Sequence, residues 1–130
     1  MAFNLHKSDF NGTMPLEYLP GKAGESYAPG EALAVASGAV TKCGATTAPA
    51  YLCAGKLESA AEGTLVPAVR VSRDRSYRAP LSAAGTALKV GDKVTLSADG
   101  LGVTATTASG VAEITEIFGT AVGDEVAVRF

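Results

Sequence analysis

The sequence predicts an all-β fold: a small antiparallel barrel or sandwich of eight or nine short strands, preceded by an extended N-terminal arm. Three observations carry this prediction. Strand-length runs of alternating apolar and polar residues recur at roughly ten-residue spacing between clusters of turn formers. The packing units are small, since the 130 residues include 24 Ala, 15 Gly, 12 Val and 12 Thr but no Trp. A Gly-acidic turn feeding an alternating strand also occurs three times, and twice it continues through a Gly-containing reversal in the manner of a β-hairpin.

Residues 1–28 read as the arm. Asn11-Gly12, Pro15, Pro20-Gly21, Gly24 and Pro29-Gly30 interrupt any helix, because each Pro lacks an N–H and biases its predecessor towards extended geometry. The arm carries Phe3, Leu5, Phe10, Leu16, Tyr18 and Leu19 in no pattern that closes a helix or hairpin alone. These side chains need a surface to dock on, either the protein's own barrel or another subunit, and are candidate partner-binding residues.

Residues 29–130 read as the β domain. The three repeats are Gly30-Glu31-Ala32-Leu33-Ala34-Val35, Gly91-Asp92-Lys93-Val94-Thr95-Leu96 and Gly123-Asp124-Glu125-Val126-Ala127-Val128. Period two places Leu33, Val35, Val94, Leu96, Val126 and Val128 on one buried face. Residues 51–57, 64–72 and 76–81 supply further strands, and residues 59–62 at most one helical turn. Residues 111–118 carry apolar groups on both faces, which suits a strand buried on two sides or placed at a contact. There is room for one core, and it is thin, as in a sheet wrapped on itself or a layer completed by a neighbouring chain.

Charge excludes the strongly basic class. Eleven Lys and Arg stand against 13 Asp and Glu, a net charge of −2, and each half of the chain nets −1. No general field draws the protein to nucleic acid or to an anionic membrane, so neither is an expected partner. No apolar run reaches the length of a membrane-spanning helix. His6, Lys7 and Asp9 stand where a secretion signal would need its apolar stretch, so the chain is expected to act without export, and Asn11-Gly12-Thr13 reads as a flexible turn.

Catalytic, metal and cofactor signatures are lacking. The single His, His6, has no fixed neighbour in an arm to set its tautomer. Cys43 and Cys53 read as small reduced apolar groups, with a disulfide left open should their strands pair. Gly21-Lys22 and Gly55-Lys56 lack the remainder of a phosphate loop, one carboxylate per turn cannot cage calcium, and no nucleophile elbow occurs. No enzyme activity, metal or cofactor is expected. The dense charge feature is Arg70, Arg73, Asp74, Arg75 and Arg78, with Tyr77 interleaved. As a hairpin tip it would bind phosphate or an acidic surface, with Tyr77 as a stacking plane, in a nucleic-acid- or glycan-binding barrel. As a solvated turn it would do nothing beyond balancing its own charge.

The order of elements resembles the decoration, or cement, proteins of tailed-bacteriophage heads. The resemblance rests on the Pro/Gly-broken arm, the Pro29-Gly30-Glu31-Ala32-Leu33 hairpin and the Val69-Arg70-Val71-Ser72-Arg73-Asp74 segment. It continues in Lys89 to Leu96 with the Asp99-Gly100 turn and in the closing Val126 to Phe130, and it covers about residues 29–130. It implies a β-barrel or β-tulip module, usually a trimer, assembled in the host cytoplasm onto the outer capsid surface of the virion. There it would brace the major capsid protein and stabilise the shell, with the arm as a strap.

Overall fold

A computed structural model describes residues 2–8 and 15–130. Phe10 and the Asn11-Gly12 turn lie outside the described residues. Those described form ten strands and no helix: β1 (Asn4–Ser8), β2 (Glu17–Pro20), β3 (Ala32–Ala36), β4 (Ala39–Lys42), β5 (Tyr51–Cys53), β6 (Leu65–Arg70), β7 (Arg75–Pro80), β8 (Lys93–Val94), β9 (Ala112–Ile117) and β10 (Glu125–Arg129). The helical turn expected at residues 59–62 is an irregular turn instead.

The strands make two five-stranded sheets, ordered β1-β7-β10-β9-β8 (sheet A) and β2-β6-β5-β3-β4 (sheet B), with every ladder antiparallel. A sandwich therefore replaces the closed barrel. Beyond β4 and β8 the sheets are stitched by a bridge between Ala45 and Leu96, whose two N–H···O bonds measure 3.1 and 2.9 Å. On the other side β1 and β2 are the outermost strands of sheets A and B, and no described ladder joins them; the end of β2 curls instead towards β4, the other edge of its own sheet, through a parallel bridge between Gly21 and Val40. Closure needs one more pairing than the described residues make.

The expected single core is divided by sheet B. Between the sheets, Tyr77, Ala79, Val94, Ala112, Ile114, Val126 and Val128 from sheet A meet Ala32 and Leu52 from sheet B, with Leu81, Leu96 and Val103 from the connections. On the outer face of sheet B, Leu33, Val40, Tyr51, Cys53, Val66 and Ala68 are roofed by Tyr27, Leu57 and Ala60. The roof is two chain segments bonded to each other, Tyr27 N–H to Leu57 O at 2.8 Å and Ala60 N–H to Glu25 O at 3.0 Å. Tyr27 pins it down by donating its hydroxyl to Val40 O at 2.6 Å. Small residues permit the division: Ala32 and Ala68 are fully buried on opposite faces of one sheet, and bulkier side chains there would hold the layers apart.

Of the six side chains assigned to one buried face, Val94, Leu96, Val126 and Val128 share the core between the sheets, whereas Leu33 is buried in the second core, on the other face of sheet B. Val35 is 56% exposed, although its ladder partner Val40 is buried. Strand β9 resolves its two-faced pattern with a bulge. Val128 opposes Ile114 while Val126 opposes Ile117, so Thr115 is an extra residue and the two isoleucines, three apart, both face the core.

The described parts of the arm dock on the chain's own sheets, one of the two alternatives left open for it. β1 pairs with β7 and β2 with β6. Phe3 is 3% exposed and meets Phe130 edge-on at 5.4 Å between ring centroids.

Candidate partner-binding surface

The Arg70–Arg78 segment is not a hairpin tip. β6 belongs to sheet B and β7 to sheet A, so residues 71–74 cross between sheets and the arginines point in different directions. Arg70 lies on the outer face of sheet B, over the Tyr51 ring at 5.0 Å, and forks onto Glu17 with bonds of 3.0 and 2.9 Å. Arg73 and Arg78 lie on sheet A's outer face, Arg73 within 3.7 Å of Glu113 and Arg78 within 3.1 Å of Glu125. The Arg75 side chain is only 10% exposed and donates from Nη1 to Arg70 O at 3.0 Å. Its Nε has no hydrogen-bond partner and stands 3.7 Å from Asp74.

Tyr77, expected as a stacking plane, is 3% exposed and tilted against Phe130. Period two turns it inward with Ala79 while Arg78 turns out. Its hydroxyl lacks a partner, and burial raises its pKa, against the lowering effect of Arg75. The ring is therefore unavailable to a base or sugar.

Outside sheet A the charges form a paired lattice. Glu116 accepts from Lys7 at 3.1 Å and contacts His6 through Nε2, which holds its carboxyl below the usual range. Glu113 accepts from Arg129 at 2.9 Å and is lowered chiefly by that bond. Phe118, 46% exposed, lies beneath Arg78 at 4.0 Å and edge-on to His6 at 5.5 Å. So His6 does have a fixed neighbour, contrary to the expectation for an arm. Sequence reasoning missed Lys7, Glu113, Glu116 and Arg129 as members of this surface. The alternation in β10 does place Arg129 opposite in direction to Val128, but only the pairing register brings it to Glu113.

The apolar candidates divide likewise. Leu19 is partly buried against the second core and Phe3 is buried in the first. Leu5 is 54%, Leu16 47% and Tyr18 59% exposed, joined by Leu65 at 56%. In the β2–β6 ladder Tyr18 opposes Pro67 and Pro20 opposes Leu65, so Tyr18, Pro20, Leu65 and Pro67 share one face. That face is the one whose continuation, at Ala32 and Leu52, packs against sheet A. The strip is thus inner-face surface that barrel closure would have covered.

The cysteines are free and lie in different cores on opposite faces of sheet B, so no disulfide links them. Burial pushes the Cys43 thiol up to about 11 and raises that of Cys53, so neither is an activated nucleophile at neutral pH. Among the described residues, no group of three or more His, Cys, Asp or Glu is placed to hold a metal ion. No family model matches the chain, and no curated protein matches it significantly.

Proposed function

We propose that this chain is a virion structural protein of the bacteriophage decoration type, which binds the outer surface of a capsid and braces the major capsid protein. The observation that supports this best is the unclosed side of the sandwich. Among the described residues two sheet edges, β1 and β2, the latter bridged to β4 only at Gly21, flank an uncharged strip of Leu16, Tyr18 and Leu65, each about half exposed. Free edges recruit strands through main-chain bonds, and an exposed apolar strip gains free energy when covered. The same features support self-association, in the trimer common among the proteins it resembles. The nucleic-acid- or glycan-binding alternative has less support, because Tyr77 is buried and the arginines are dispersed and stand beside carboxylates.

Purified protein mixed with mature, undecorated shells is expected to co-sediment with them and to raise the temperature at which they rupture. Absence of binding at micromolar concentration would overturn the reading. Light scattering at high protein concentration, expected to give a multiple of the 13.1 kDa chain mass, tests self-association separately.

A further inference from the structure

We infer that the cleft where the end of β1, the 71–74 crossing and the outer face of sheet A meet is an oxoanion-binding site, built from Lys7, Arg73, Arg75 and Arg129. The cleft has a volume of about 170 Å³, and Ser76 and Thr115 bring hydroxyls to its lining. Among the described residues, Asp74 is the one carboxylate in its walls. Adding Glu113 and Glu116, which bond to Arg129 and Lys7, leaves four cations against three carboxylates among the described residues. The cations are held close together by the fold, and their mutual repulsion is relieved by an anion placed among them.

Arg75 makes the case more than a matter of net charge. Its side chain is nine-tenths buried, its Nη1 donates to Arg70 O at 3.0 Å, and its Nε pairs with Asp74 Oδ1 across 3.7 Å without a hydrogen bond. Held by that bond and that ion pair, the guanidinium is fixed in the wall of the cleft, so an anion that enters meets its charge with little further loss of side-chain freedom. Arg73 is the freer hand, since its contact with Glu113 is loose at 3.7 Å and its side chain is 60% exposed. Neither Arg70 nor Arg78 lines the cleft, so the site is a different set from the arginine cluster conspicuous in the sequence.

The ligand chemistry is a small oxoanion offering several acceptors: a free phosphate or sulfate, or an acidic side chain presented by the capsid. The second source rests on the proposed function; the site itself does not. Inorganic phosphate is the probe, titrated into isolated protein against sodium chloride at equal ionic strength. The Arg75 and Arg73 Nε–H resonances are followed by NMR. Saturable shifts at these two arginines in phosphate alone are expected, while the Arg70 resonance on sheet B stays put. Arg73→Gln, an exposed change that leaves the core intact, should weaken phosphate binding about fivefold or more, the effect of removing one partly exposed charge partner. Arg70→Gln should leave it within about twofold. Shifts that fail to saturate, that chloride reproduces, or that Arg70→Gln weakens equally would overturn the site. Saturating phosphate added to a shell co-sedimentation assay then separates the two sources. Competition assigns the cleft to a capsid carboxylate, and unimpeded shell binding assigns it to the free ion. If no shell binds at all while phosphate does, the proposed function fails and the site stands.

Discussion

Gly30 and Glu31 sit side by side at the entry to β3, and each is constrained by something no sequence pattern displays. Gly30 has φ +78°, and a methyl group built on it would meet Ala2 Cβ at 2.6 Å and Phe3 O at 2.7 Å. Its glycine is required twice, once for the left-handed backbone and once for the close approach of the N-terminal segment. Gly30→Ala should therefore cost about 1–3 kcal/mol or more, read as a lower urea midpoint at unchanged slope. Gly38→Ala, with φ +77° but open space around it, separates strain from crowding and should cost less. Glu31 is 3% exposed, with Oε2 unpartnered. Burial pushes its carboxyl up to about 7, against the pull of Lys42, with Glu25 adding to the rise. The folded state thus holds this proton more tightly than the unfolded chain. Stability contributed by the neutral form is present below the ordinary carboxylate range and is lost as pH rises towards and through 7. Unfolding free energies measured at pH 5 and pH 8 should differ by up to about 3 kcal/mol in favour of pH 5, and Glu31→Gln should flatten the difference. A slope of opposite sign in the wild type would mean that another group dominates the titration.

At the scale of elements, alternation in the sequence was a reliable guide wherever one face of a strand met the inter-sheet core. It identifies Val94, Leu96, Val126 and Val128 because sheet A has one buried face. It misleads in β3, where Ala32 serves one core and Leu33 the other, since nothing local says that sheet B is roofed. It also leaves β9 ambiguous, because the bulge at Thr115 is a property of the pair β9 and β10 rather than of either strand. The arginine cluster was legible as a cluster but not as a site. Proximity along the chain implied proximity in space, and a crossing between sheets at residues 71–74 undid the implication. The arm was harder still to read. Its turn formers exclude helix, but the burial of Phe3 depends on Phe130, at the far end of the chain. Phe3→Ala should lower stability by about 3–5 kcal/mol, while Leu5→Ala, at a half-exposed position two residues on, should stay within about 0.5 kcal/mol. Equilibrium unfolding of both variants decides whether the first strand is part of the core or an appendage. Equal, small effects would return the arm to the role of a free strap.

For the whole molecule, the question is why the described strands leave one side between the sheets unpaired. A pairing of β1 with β2 would join the two sheets and cover Leu16, Tyr18 and Leu65, yet the described part of β2 curls towards β4 at Gly21 and leaves that side open. An open side of this kind exposes apolar surface to water and invites edge-to-edge association, a liability that charged or proline-bearing edges limit. The edge strand β2 does end in Pro20, but the strip itself carries no charge. A protein whose work is done on a surface has a use for such a strip, because the partner completes the layer that the chain leaves unfinished. Placing charge there separates fold from function. Tyr18→Glu together with Leu65→Glu changes side chains already more than half exposed, so the melting temperature should move by no more than a few degrees, about the shift given by less than 1 kcal/mol. Binding to shells, or self-association if the strip is the contact between protomers, should weaken at least tenfold, about 1.4 kcal/mol, because two carboxylates would have to be desolvated in the contact. The two readouts divide the outcomes: loss of shell binding with an unchanged oligomer mass assigns the strip to the capsid, and loss of the oligomer assigns it to a neighbouring protomer. If both survive the double substitution, the open side is not an interface, and the charged outer face of sheet A is the next surface at which to test the proposed binding.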